Sequence, residues 1–67
     1  MLTTDHIIER LRELGCTLMI HPPYAGITCY VNANGHGIAA GAGGATLNEA
    51  LVRLLAKVEE QVKEARG

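Results

Sequence analysis

Glycine-rich backbone that leads into a helix start is the feature of this sequence most suggestive of chemistry. Residues 34–51 are NGHGIAAGAGGATLNEAL, and backbone N–H groups at the start of a helix can hold a phosphate group. A Walker phosphate loop needs a lysine beside its last glycine, and GAGGATLNE contains none. The spacing of Gly41, Gly43 and Thr46 also departs from the dinucleotide-binding fingerprint. The pattern favours a strand of small residues that turns into a helix, with an anion site at the helix start as the alternative.

Cysteine and histidine supply the other reactive side chains. Cys16, His21, Cys29 and His36 are ligand types that Zn²⁺ prefers, but their spacing fits no close-ligand zinc motif. Both cysteines fall on inward-facing positions of predicted strands, so we expect reduced thiols that pack as small apolar groups, with one disulfide as the alternative. A Cys–His pair could act as a nucleophile, yet all seven acidic residues lie in predicted helices and 67 residues enclose little volume. We expect no enzymatic activity, no metal and no cofactor.

The elements that position these residues begin with a helix. In TDHIIERLREL (residues 4–14), apolar side chains recur at helical spacing and charged ones face outward. Thr3 or Thr4 can cap its first N–H groups, and Gly15 can take the left-handed conformation that ends a helix. A second helix is predicted from Thr46 to about residue 65, because TLNE matches a capping box in which Thr46 and Glu49 bond reciprocally.

Three short strands are predicted between the helices. CTLMIH (16–21) and ITCYVNA (27–33) are rich in strand-forming residues and are separated by two prolines and a glycine. Asn34-Gly35 suits a type I′ turn, so HGIAAGA (36–42) is expected to return beside the second strand.

The element order predicts an α+β fold, α-β-β-β-α, in a single domain of residues 1–67. A three-stranded antiparallel sheet with two helices packed on one face is the simplest arrangement, and a helical hairpin with a disordered middle is the alternative. The predicted core consists of Ile7, Leu11, Leu14, Leu18, Ile20, Ile27, Cys29, Val31, Ile38, Leu51, Leu54, Leu55 and Val58.

The segment YVNANGHGIAAGAGGATLNEALVRLLAKV, together with the element order, resembles the C-terminal half of a double-stranded-RNA-binding domain. Gly41-Ala42-Gly43 and Thr46–Ala50 stand where that family has its G-x-G step and helix start. The resemblance implies the same fold and, as an alternative function, nucleic-acid binding. The family's helix-start lysines correspond here to Leu47, Asn48 and Leu51, so the basic residues left for contacts with the nucleic-acid backbone are Arg53, Lys57 and Lys63. The step GATLNEAL is also similar to HicB-type antitoxins and small phage proteins, which implies an antitoxin-type regulatory domain as a further alternative.

Charge distribution points to protein partners. The net charge is −1, which gives no electrostatic footprint for nucleic acid, and residues 15–48 contain no Asp, Glu, Lys or Arg. Exposed sheets are usually protected by charge, and interfaces are depleted of it. The predicted sheet face away from the helices consists of Thr17, Met19, His21, Thr28, Tyr30, Asn32, Gly37, Ala39 and Gly41. A thin, solvated polar face is the alternative to a contact surface.

We therefore expect a small non-enzymatic protein-binding module, in the style of a phage-encoded modulator of a host protein. Its interface residues are expected to be Met19, His21, Tyr30, Asn32 and Ala39. A core this small is marginally stable, so we also expect a homodimer or a higher even-numbered oligomer. No apolar run approaches the roughly 20 residues that span a bilayer, and no secretion signal is present. The expected location is the cytoplasm, without membrane contact.

Overall fold

The computed structural model describes residues 3–21, 29–35 and 37–66. The elements, in chain order, are α1 (Thr4–Glu13), β1 (Thr17–His21), β2 (Cys29–Gly35), β3 (Ile38–Gly44) and α2 (Leu47–Arg66). The strands form one antiparallel sheet in the order β1-β2-β3. Helix α2 packs across β3 and β2, and α1 packs against α2 and β1. The predicted fold class is confirmed, and the helical-hairpin alternative is wrong.

Both ends of α1 follow from local chemistry. Thr3 is the N-cap residue, and its hydroxyl accepts a hydrogen bond of 3.2 Å from the His6 backbone N–H. At the other end Gly15 takes a φ of 80°, which a glycine adopts at no steric cost. The Cys16 N–H then donates to the Leu11 carbonyl at 3.0 Å, so the chain closes the last turn and leaves directly into β1.

Helix α2 begins one residue after its predicted first residue. The Thr46 hydroxyl accepts a hydrogen bond from the Glu49 backbone N–H at 3.1 Å, which is one half of the predicted capping box. The other half, from the Glu49 side chain back to the Thr46 N–H, is not among the hydrogen bonds of the residues described. The Glu49 carboxylate instead lies 2.7 Å from an Arg53 guanidinium nitrogen. The helix start thus keeps its cap and gains an ion pair one turn further on.

The hairpin between β2 and β3 turns later than predicted. Asn34 pairs with Ala39 and Gly35 pairs with Ile38, so the strand pairing continues through Asn34-Gly35, which is not the turn. Gly37 supplies the positive φ of 80°. The two registers differ by an even number of residues, so every inward-facing side chain keeps its face. The predicted faces of β2 and β3 therefore survive an incorrect turn.

The core is a single cluster shared by both helices and the sheet. Its fully or almost fully buried members are Ile7, Leu11, Val31, Ala33, Ile38, Ala42, Ala50, Leu51, Leu54, Leu55 and Val58. Three other predicted members are partly buried against it, namely Leu14, Leu18 and Cys29. The prediction was wrong for Ile20, whose side chain is 55% exposed. Ile20 does lie on the helix side of β1, but the helices do not cover that end of the strand. Ile27 lies outside the described residues.

Small residues let α2 approach the sheet closely. Ala33, Ala42 and Ala50 are buried core residues that the predicted core omitted. A Cβ atom on Gly44 would lie 2.9 Å from the backbone nitrogen of Ala50, which is closer than real Cβ contacts allow. Larger side chains at these positions would push the helix start away from β3.

A second close approach joins the end of the hairpin to the turn that follows α1. Gly35 has a φ of 156°, and a Cβ atom placed on it would overlap the carbonyl oxygen of Gly15 and come within 3.2 Å of the Cys16 Cα atom. Both neighbours are backbone, which cannot rotate away. The contact fixes the start of β1 against the end of β2.

Candidate protein-interaction surface

The sheet has one face that the helices do not cover, which we call the open face. It is formed by alternate residues of the three strands, namely Thr17, Met19, His21, Tyr30, Asn32, Asn34, Ala39, Gly41 and Gly43. The register brings together all five residues predicted as an interface. Two other predicted members of the face differ: Gly37 lies in the turn, and Thr28 lies outside the described residues. No side chain of the open face carries a formal charge at neutral pH with histidine neutral.

Met19 and Tyr30 are the large exposed side chains of the open face. Met19 is 50% exposed and Tyr30 is 36% exposed. Met19 lies opposite Asn32 in the register, and Tyr30 lies opposite His21. Methionine adapts its shape to a partner, and tyrosine offers a rigid apolar ring with a hydroxyl group at its tip.

The Tyr30 side chain lies across the glycines of β3. Its hydroxyl occupies the space where a Cβ atom on Gly41 would be, and the Asn32 Oδ1 atom lies 2.9 Å from the same point. On the other side, the rings of Tyr30 and His21 have centroids 5.8 Å apart and are tilted by 53°. The aromatic pair spans the open face, and Gly41 is required beneath it.

Two polar atoms of this cluster have unused hydrogen-bonding capacity. His21 Nε2 and Asn32 Oδ1 are buried, and neither has a hydrogen-bond partner within the part of the chain that the structure describes. Leaving such an atom unpaired costs about 1–3 kcal/mol. Because both atoms are buried, a partner docked on the face does not reach them, and the contact chemistry of the face is that of its exposed side chains.

Side chains from α2 cover the outer edge of β3. The Arg53 guanidinium donates to the Gly43 carbonyl and the Lys57 ammonium donates to the Gly41 carbonyl, both at 2.8 Å. Gln61 uses both ends of its amide, donating to the Ala39 carbonyl at 2.9 Å and accepting from the Ala39 N–H at 3.1 Å. These three residues recur every four positions and lie along one side of α2. They occupy groups that would otherwise be free to pair with another strand.

The direction of the β3 carbonyls also determines which backbone groups of β1 point away from the sheet at the opposite edge. Backbone groups point alternately to the two sides of an antiparallel strand. Because the carbonyls of Ala39, Gly41 and Gly43 point outward, the residues opposite them on β2 point toward β1 and bond Thr17, Met19 and His21. The backbone N–H and C=O groups of Leu18 and Ile20 therefore point away from the sheet. No hydrogen bond from within residues 3–21, 29–35 or 37–66 reaches them from outside the sheet.

The basic residues considered for nucleic-acid contacts do not form one site. Arg53 and Lys57 are both directed at β3 carbonyls, and Arg53 is also paired with Glu49. Lys63 lies instead in the groove between α1 and α2, beside Glu59 and Glu60. Sequence reasoning missed the edge-covering role of α2. The spacing of Arg53, Lys57 and Gln61 at every fourth position is the sequence pattern that could have indicated this role.

The two cysteines are not bridged. Cys16 and Cys29 are both free, so the disulfide alternative is wrong. Burial raises the pKa of the Cys16 thiol above its ordinary value, which keeps that thiol protonated at neutral pH. Within the described ranges, no three His, Cys, Asp or Glu side chains come together as metal ligands; His36 falls outside those ranges.

Neither helix in the described part of the chain is long and apolar enough to cross a membrane. Comparisons with protein-family models, with characterised proteins and with solved structures find no match to this chain.

Proposed function

We propose that this chain is a non-enzymatic protein-binding module. Its open face binds other proteins and also mediates self-association of the chain. The observation that carries the proposal is a charge-free open face on which Met19 and Tyr30 remain 50% and 36% exposed. Tyrosine and methionine are enriched at protein interfaces, and charged residues are depleted from their centres. The small residues of β3 leave the face free of protrusions beside these two anchors.

The energetics of the face favour a protein over water. Large, semi-rigid side chains near the centre of a contact carry most of its binding energy, and the pair of Tyr30 and His21 holds one such anchor in place. No formal charge has to be desolvated when the face is covered, and desolvation of charge is the costly part of burying a polar surface.

Nucleic acid is less well matched to the same surface. Affinity for a duplex comes mainly from cations that neutralise phosphates, and the open face carries none. Arg53 and Lys57 already donate to β3 carbonyls. The geometry therefore supports protein binding as the function of this domain.

Self-association provides the direct test of the open face. Light scattering over about 1–100 μM protein should show a dimer or a larger even-numbered species. This range brackets and exceeds a dissociation constant of about 1 μM, which corresponds to a binding free energy of roughly 8 kcal/mol. Tyr30→Arg places an unpaired charge in the contact and should shift the mass toward the monomer. Val52→Arg is the matched control, because Val52 is also an exposed apolar residue, 42% exposed, but lies on α2.

Circular dichroism of both variants should match that of the wild type, so that loss of mass is not loss of fold. Met19→Arg should act like Tyr30→Arg without disturbing the ring above Gly41. A wild-type protein that is monomeric at about 100 μM would contradict self-association. Equal effects of Tyr30→Arg and Val52→Arg would contradict the role of the open face.

A further inference from the structure

We infer that β1 is the edge at which a second copy of this chain docks, pairing antiparallel with its own β1 so that the two three-stranded sheets become one. The inference rests on the self-association proposed above but places the contact at the β1 edge, where Met19 lies at the centre and Tyr30 is one strand away. It names the edge, the register and the number of copies.

The two edges of the sheet differ in what covers them. At β3, the carbonyls of Ala39, Gly41 and Gly43 accept hydrogen bonds from α2. At β1, the backbone groups of Leu18 and Ile20 point outward, and no bond from the described residues occupies them. An edge strand with free backbone groups and no charged residue is a template for pairing with another chain. Strand addition at β1 is therefore the open route.

The strand is suited to pairing with a copy of itself. The two outward-directed residues, Leu18 and Ile20, flank Met19 symmetrically, so a two-fold axis at Met19 places Leu18 of one copy opposite Ile20 of the other. Each such pair exchanges both backbone hydrogen bonds, as in any hydrogen-bonded pair of an antiparallel ladder. The same patch then serves both copies, which is the requirement of a two-fold symmetric interface.

The side chains agree with this register. Met19 meets its counterpart on the open face, and Ile20 lies beside Leu18 of the second copy on the helix side. Ile20 is an apolar side chain that the chain itself leaves 55% exposed, and the second copy would cover it. No residue of β1 carries a formal charge with histidine neutral, so the paired strands themselves bring no like charges together. The contact matches Met19 with Met19 on the open face and Leu18 with Ile20 on the helix side, and the polar pair of Thr17 and His21 flanks Met19 at each end.

The covered β3 edge limits the assembly to two copies. After β1 pairs with β1, each outer edge of the joined sheet is a β3 strand. Side chains of α2 occupy three of its carbonyls and one of its N–H groups. The assembly therefore closes as a symmetric dimer, whereas a sheet with two open edges would extend into a fibre.

A disulfide across the two-fold axis tests the register directly. Met19→Cys, in a chain that also carries Cys16→Ala and Cys29→Ala, places two thiols opposite each other in a non-hydrogen-bonded pair with Cα atoms about 4.5 Å apart. Disulfides span Cα distances of about 4.4–6.8 Å. Oxidised glutathione accepts the two electrons, and we expect a covalent dimer on a non-reducing gel.

His21→Cys in the same background is the matched control. Its thiol would lie about four residues along the strand from its counterpart, roughly 13 Å away at 3.3–3.4 Å per residue, so no covalent dimer should form. A sample of Met19→Cys unfolded in urea controls for random collisions and should not cross-link at the same rate. Cross-linking of both variants to the same extent would overturn the register.

A variant with both natural cysteines tests the edge independently. Ile20→Pro removes the outward N–H while leaving the bonds from β1 to β2, a position at which an edge strand tolerates proline. We expect dimerisation to weaken at least tenfold, and Ile20→Ala, which keeps the N–H, to weaken it less. The β1 pairing alone would be overturned if the wild type is a dimer, Ile20→Pro remains a dimer and Met19→Cys does not cross-link. The open face would then remain as the contact. A monomer at about 100 μM would overturn self-association itself.

Discussion

The contact of Gly35 with the turn after α1 predicts a large and position-specific loss of stability. In Gly35→Ala, the new methyl group would overlap the Gly15 carbonyl oxygen and lie within 3.2 Å of the Cys16 Cα atom. The backbone conformation also disfavours a side chain, because φ is 156°. A backbone conformation that only glycine adopts readily costs another residue about 1–3 kcal/mol, and overpacking typically adds about 1–3 kcal/mol. The free energy of unfolding should fall by about 2–6 kcal/mol.

Gly37→Ala separates the two contributions. Gly37 also has a positive φ, of 80°, but a Cβ atom there would meet nothing within 4 Å. Only the conformational cost should appear, so Gly35→Ala should exceed Gly37→Ala by the overlap cost of about 1–3 kcal/mol. Urea unfolding followed by circular dichroism measures both, at one protein concentration because association adds to stability. Equal losses in the two variants would refute the packing of the hairpin end against Gly15.

Two further outcomes follow from the side chains of α2. Replacing Lys57 and Gln61 together by methionine keeps helix propensity but frees the Gly41 and Ala39 backbone groups, so sedimentation should reveal assemblies larger than those of the wild type. The control Lys63→Met removes one positive charge elsewhere on the helix and should leave the size distribution unchanged. An unchanged size distribution in the double variant would contradict the edge-covering role of α2. In a gel-shift assay at about 150 mM salt, about 10 μM protein should not retard a 20-base-pair RNA duplex, since few basic side chains are free to displace counterions from the phosphates. A salt-dependent shift at low micromolar protein would show that the chain binds RNA.

The helices were predictable because their boundaries depend on local chemistry. Thr3, Gly15 and Thr46 act within one turn of the residues that they cap, so sequence spacing alone contains the information. Strand faces were predictable for a related reason, since alternation fixes which side chains share a face. The same alternation identified the open face, including Met19 and Tyr30, before any register was known.

The errors concern features that depend on distant parts of the chain. Asn34-Gly35 suits a tight turn locally, but the ladder continues through Gly35, which packs against Gly15. Ile20 faces the helix side as predicted, yet its exposure depends on how far the helices extend over β1. The roles of Lys57 and Gln61 likewise required the distance between α2 and β3. Local patterns specify the direction of a side chain, and only packing decides what covers it.

Because α2 covers the β3 edge, protection of the sheet against aggregation depends on when α2 docks during folding. Gln61 lies 22 residues after Ala39, the backbone that it protects. Because α2 follows all three strands in the chain, any folding intermediate in which the sheet has formed before α2 docks has an uncovered β3 edge. Until α2 docks, the sheet is open on both sides, and neighbouring chains compete with the helix for the same carbonyls.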